Sequence, residues 1–236
     1  MRNRQFLTMT ILDDLKLDEY ETEDISDVLV KLEKSFAIKF PKDAFTSTKT
    51  FGELCDIIES SIKFDNKEDC TKQQAFYRIR TAICETQVID KSLINLDTKL
   101  VHVFPRNKRR RQVKKFHKHL GIDLEFLTYP DWLSVTLIVG ILGSLIAFFF
   151  DWKVAVSGIA FFIIALKVAD KFGKDLKCDT VKELTEKAAT EHYVHIRRSK
   201  LTVNRNEILD TIKEAFSIGL AIDKKQLTRD AKFSWA

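Results

Sequence analysis

The stretch "IDKKQLTRDAKF", Ile222 to Phe233, has a counterpart in "IDKSLINLDTKL", Ile89 to Leu100, and this pairing decides how the chain is read. Ile, Asp, Lys, a later Asp and a later Lys coincide without a gap, and the apolar positions agree. An amphipathic helix pattern precedes each, "RNEILDTIKEAFSIGL" in one case and "QQAFYRIRTAICETQV" in the other. Two further pairs extend the repeat. "LEKSFAIKFP" (Leu32 to Pro41) matches "FHKHLGIDLE" (Phe116 to Glu125), each a helix end followed by alternating apolar residues. "TFGELCDII" (Thr50 to Ile58) matches "TVKELTEKA" (Thr180 to Ala188), with Thr as N-cap and Glu three residues on, as a capping box requires. Three segment types each found twice predict one helical unit occurring twice.

Between the paired segments lies "WLSVTLIVGILGSLIAFFF", Trp132 to Phe150, uncharged throughout and long enough to cross a bilayer core. "DWK" follows, then "VAVSGIAFFIIALKVA", Val154 to Ala169, a shorter apolar run that Lys153 and Lys167 extend by reaching toward opposite head-group layers. The three-residue link predicts an antiparallel transmembrane hairpin. Gly140, Gly143, Ser144, Ala147, Ser157 and Gly158 would let the two backbones approach closely. "PRNKRRRQVKKFHKH" before the hairpin, with Lys167, Lys171, Lys174 and Lys177 within and after it, places both termini in the cytoplasm, at the cytoplasmic (inner) membrane. Seven glycines and three prolines are too few for a loop-rich fold, so an all-α protein is expected. Cys55, Cys70, Cys84 and Cys178 share no metal-ligand spacing and read as reduced thiols, with Cys55 and Cys84 packed in cores.

"VLVKLEKSFAIKFPKDAFTSTKTFGELCDII" resembles the second half of an acyl carrier protein: a recognition helix ending in Leu-Glu-x-x-Phe-x-Ile-x-Phe-Pro, a loop, and a Thr-led last helix. "ILDTIKEAFSIGLAIDKKQLTRDAKF" is similar to that family's first helix and long loop. The resemblance implies two acyl-carrier-like units and a bacterial source. Unit A would take helices two to four from residues 1–66 and its first helix and loop from 199–236, which makes it circularly permuted. Unit B would take 67–130, receive the hairpin 131–170 as an insertion, and finish with 171–198. A swap of the C-terminal helix between two chains would satisfy the same contacts, so a domain-swapped homo-oligomer is the alternative to closure within one chain.

In the family, phosphopantetheine is attached to the Ser of Asp-Ser-Leu at the start of the second helix. Counting back from Leu32-Glu33 puts that tripeptide on Glu21-Thr22-Glu23, and allowing an insertion puts its Asp at Asp18, followed by Glu19 and Tyr20. Neither supplies a serine, and the other unit offers only "RNKRRR", Arg106 to Arg111. Thr22 is the one residue left as a conceivable attachment site, and the family pattern favours Ser, so no phosphopantetheine cofactor is expected. The fold would then serve binding. An acidic recognition helix carries Glu21, Glu23, Asp24 and Asp27, and a basic one Arg106, Lys108, Arg109, Arg110, Arg111, Lys114 and Lys115. The acidic stretch reads either as a solvated helix start or as a carrier-like docking face. For the basic stretch three readings stay open: a topology signal, a site for anionic membrane lipid, or a dock for an acyl carrier protein or acyltransferase. Nucleic acid is not expected, because the bases abut the apolar segment and only Phe116 interleaves them.

His192 and His195, and likewise His117 and His119, lack a third metal ligand and read as surface residues. No catalytic constellation stands out. The expectation is a membrane-anchored, non-catalytic scaffold or interaction protein of fatty-acid, lipid or polyketide-type metabolism. An active carrier with an unusual attachment site is the first alternative, and a lipid-modifying membrane transferase the second.

Overall fold

The computed structural model describes residues 22–41, 43–149 and 151–233, so Glu21 and the residues before it lie outside the described part. It is mostly helical. The helices are α1 (Thr22–Phe36), α2 (Phe51–Ser61), α3 (Thr71–Gln87), α4 (Leu100–Val103), α5 (Arg109–Leu120), α6 (Asp131–Ile146), α7 (Trp152–Phe172), α8 (Val181–Glu191), α9 (Tyr193–Ile196) and α10 (Arg205–Leu220). Four two-residue strands, β1 (Asp65–Asn66), β2 (Leu127–Thr128), β3 (Asp175–Leu176) and β4 (Thr202–Val203), pair as β1 with β4, parallel, and β2 with β3, antiparallel.

Two compact units divide the chain. The first takes Met1–Ala75 and Glu186–Ala236, the second Phe76–Thr185. Helix α1 owes its place in the first unit to Ile25, Val28, Leu32 and Phe36, which recur at helical spacing and are all buried. They share a core with Ile208, Ile212, Phe216 and Leu220 of α10 and Phe51, Leu54 and Ile58 of α2. Full burial of each such side chain contributes about 1.5–3 kcal/mol. Residues 67–75 and 186–198, expected in unit B, belong here. The buried Arg197 explains the first of these segments: its guanidinium donates to Lys67 O at 2.8 Å, Asp69 O at 2.9 Å and Thr71 Oγ1 at 2.6 Å. Tyr193 explains the second, with its backbone N–H on buried Ser35 Oγ at 3.0 Å and its ring 5.1 Å from Phe36.

In the second unit Phe104, Phe116 and Phe126 pack ring on ring at 5.6–6.1 Å. Ile79 and Ile83 of α3 and Val181 and Leu184 of α8 are buried as well. Arg78 donates to Leu120 O at 3.0 Å, satisfying a carbonyl at the C-terminal end of α5.

One pattern of backbone bonds occurs in both units. In the first, Phe51 N–H donates to Ala231 O, Gly52 N–H to Arg229 O and Phe233 N–H to Lys49 O, around a bridge between Thr50 and Lys232. In the second, Val181 N–H donates to Thr98 O, Lys182 N–H to Leu96 O and Leu100 N–H to Asp179 O, around a bridge between Lys99 and Thr180. These are the positions that the paired sequences align. The loops begin alike too, with Ala221 and Val88 both left-handed at φ 54° and 57°. Asp223 and Asp90 then each accept a backbone N–H two residues on, at 2.9 and 2.8 Å. Helices α1 and α5 end on Ala37 (φ 52°) and Gly121 (φ 76°), again at aligned positions.

Helices α6 and α7 pack on each other. A Cβ at Gly140 would stand 2.4 Å from the Phe162 ring, and one at Gly158 2.4 Å from Ser144 Oγ, so both glycines mark close approach of the helices. Among the described residues only α7 is by itself long and apolar enough to cross a membrane, by length and composition, with 6% of its Trp152–Ala169 window buried. Its 21 residues rise about 31 Å, against about 30 Å of hydrocarbon. The first apolar run, expected to be the longer span, is the shorter helix. Its α-helix stops at Ile146 and Ala147–Phe149 continue as a 3-10 turn.

Candidate functional site

Helix α5 begins on Lys108, which makes no side-chain cap, and its first turn holds no acid. Arg109, Arg110 and Arg111 crowd the end where the helix dipole is already positive, an arrangement unfavourable for the free helix and favourable for an anion. The seven cations singled out in the sequence part company here. Arg109 is only 4% exposed, and its Nε donates to Phe104 O at 2.7 Å and Nη1 to Lys174 O at 2.5 Å. It therefore ties the chain returning from α7 to the start of α5, and presents nothing to a partner. Arg106 is exposed but pairs with Asp175 of β3 at 3.0 Å. Lys108, Arg110, Arg111, Lys114 and Lys115 are exposed.

Helical spacing puts Arg110 and Lys114 on one stripe and Lys108, Arg111 and Lys115 on the next. Arg110 and Lys114 line a cleft of about 730 Å³ together with Arg111, His117 and residues 123–127. Lys177, just past β3, closes it. Lys108, Lys115 and the equally exposed Lys118 lie outside the cleft. Asp123 and Glu125 are its acids, against four cations. Helical spacing joins His117 to Arg110 and Lys114, but nothing in the sequence spacing joined Lys177 to them; the β2–β3 pairing brings it in, and strands of two residues are too short to leave a period-2 signal.

His117 Nδ1 sits 2.8 Å from Asp123 Oδ1. Burial lowers the pKa of the imidazole and outweighs the opposing pull of Asp123. Its Nε2 is buried and has no hydrogen-bond partner among the described residues. The aligned position in the first unit is Glu33, whose Oε2 pairs with Lys39 at 2.9 Å and whose Oε1 accepts Phe40 N–H at 2.7 Å. Both pairs clasp the loop after their helix, with acid and base exchanged.

Of the acidic stretch, Asp24 and Asp27 are exposed on α1. Thr22 and Glu23 form its first turn, and Glu21 lies outside the described residues. Cys55, Cys84 and Cys178 are buried and Cys70 is exposed. Among the described residues no three His, Cys, Asp or Glu side chains gather as metal ligands would.

Compared with protein-family models, with curated proteins and with solved structures, the chain gives no match.

Proposed function

We propose that this protein is a membrane-anchored, non-catalytic interaction protein built from two acyl-carrier-like units, one of them permuted across the termini. Helices α6 and α7 form its two-span transmembrane hairpin and leave both termini in the cytoplasm. It holds a soluble partner of fatty-acid, lipid or polyketide-type synthesis, an acyl carrier protein or an acyltransferase, at the membrane. The observation that supports this reading most is the repeated frame: a helix, a long loop bonded to the start of a Thr-led helix, and a further helix ending in a left-handed residue, twice over. Counted from the aligned Ala37 and Gly121, Thr22 corresponds to Arg106, whose side chain is engaged with Asp175. A hydroxyl for phosphopantetheine is therefore replaced in the second unit by a cation in an ion pair, which supports docking over carrier chemistry.

The docking face is the stripe Lys108, Lys115 and Lys118, which lies outside the cleft lining and suits the acidic recognition helix of a carrier. The test uses the full chain purified in mild detergent. Its intact mass is expected to show no adduct, alkaline carbonate is expected not to extract it from membranes, and it is expected to capture an acyl carrier protein unless Lys108, Lys115 and Lys118 are all changed to Glu. A phosphopantetheine adduct at Thr22 would make it an active carrier. Capture unaffected by the charge reversal would remove the docking face.

A further inference from the structure

The cleft beside α5 stands at a defined depth. Its wall ends at Leu127 in β2, and α6 begins at Asp131; on the other side α7 ends at Phe172 and Lys177 follows β3 directly. Three or four residues span at most about 14 Å when extended, and the head-group layer on each face of a bilayer is about 5–8 Å deep. If α6 and α7 enter the bilayer, as the proposed function has it, the cleft opens within or just above the phosphate layer.

We infer that this cleft binds the phosphate of an anionic phospholipid, with Arg110, Arg111, Lys114 and Lys177 supplying the positive charge and His117 the floor. Four cations converge on it from two segments separated by the apolar helices, a convergence that a topology signal does not need. Asp123 and Glu125 are the acids that a phosphate must tolerate, and against four cations they leave a surplus of two positive charges. His117 lines the cleft with its Nδ1 held on Asp123 and its Nε2 buried, so its ring shapes the floor while the four cations meet the phosphate. A bound phosphate also offsets the charge crowded at the start of α5. Zwitterionic lipid brings a choline cation with its phosphate and gains less from four positive side chains.

The experiment takes the full-length protein in detergent micelles and titrates it with short-chain phosphatidylglycerol, short-chain phosphatidylcholine and inorganic phosphate, reading bound adducts by native mass spectrometry. Phosphatidylglycerol is expected to bind tightest. Changing Lys114 and Lys177 together to Ala is expected to weaken it roughly thirtyfold, about what two basic residues contribute at an anionic surface. Changing the exposed Lys91 and Lys182 to Ala, outside the cleft, is expected to leave it unchanged. Equal binding of phosphatidylcholine, or unaltered affinity in the cleft variant, overturns the proposal. Inorganic phosphate competing at the same concentrations assigns the cleft to a free anion, and displacement of bound lipid by an acyl carrier protein assigns it to the protein partner; either result overturns the lipid assignment. Carbonate extraction of the same preparation reports separately on membrane insertion, so loss of the lipid site and loss of the anchoring reading are told apart.

Discussion

Glu33 and His117 perform the same task at aligned positions with opposite chemistry, and the pH responses of the two units should differ for that reason. Burial alone would raise the Glu33 pKa, but the Lys39 and Phe40 hydrogen bonds and the Lys39 charge hold it below the ordinary 4.5. Its contribution is therefore complete above about pH 4.5 and is lost as the pH falls through the lower, folded value. His117 is also lowered, from 6.5, by burial against the pull of Asp123. For a base the lowering means that the unfolded state binds the proton first, so stability is complete above 6.5 and declines as acid is added below it. The second unit should thus lose stability on acidification from pH 7 to 5, a range in which Glu33 stays ionised. His117→Gln should flatten that decline, as followed by thermal unfolding at a series of pH values; an unchanged profile would refute the assignment. Arg109 shows why some residues stay hidden from sequence reading. Within "RNKRRR" it looks like its neighbours, yet it stands where α1 has the buried Ile25, and only its partners Phe104 and Lys174 reveal that it is a core residue.

Helices α2 and α8 were legible because their capping boxes are local. Thr50 Oγ1 accepts Glu53 N–H at 3.3 Å while Glu53 accepts Lys49 N–H at 2.7 Å, and Thr180, Glu183 and Asp179 repeat this at 3.3 and 2.9 Å. Such caps follow from four consecutive residues, so a sequence states them outright. Thr50→Ala and Thr180→Ala should each cost about 1 kcal/mol, measured as a lowered urea midpoint with the slope unchanged. A cost at Thr50 with none at Thr180 would show that the two caps are not equivalent. The apolar helices were legible as apolar but not in length, because composition does not say where an α-helix tightens into a 3-10 turn. Nor could composition find the basic cleft, whose Lys177 lies more than sixty residues from Arg110 and Lys114 and meets them through two-residue strands. Periodicity separates faces of one helix; it is blind to what a distant strand sets against them.

At the scale of the molecule, the first unit draws its core from both ends of the sequence. Ile208, Ile212, Phe216, Leu227 and Phe233 share one buried cluster with Ile25, Leu32, Phe51 and Leu54. Removing residues 204–233 should therefore unfold α1 and α2 and spare the aromatic cluster of the second unit. Cys55 reports on this directly, since burial pushes its thiol pKa up to about 12 and keeps it inert. In the full chain it should resist alkylation at pH 8 while exposed Cys70 reacts; in the truncated chain both should react, and continued protection of Cys55 would show that the first unit stands without α10. The same arrangement sets an order of events during synthesis. Roughly 140 residues lie between the end of α2 and the start of α10, so at about 5–20 residues per second the N-terminal helices wait on the order of ten to thirty seconds for their partner. By then α6 and α7 have already left the ribosome. The apolar faces of α1 and α2 are uncovered throughout that interval, and a nascent-chain chaperone has its longest opportunity to act there.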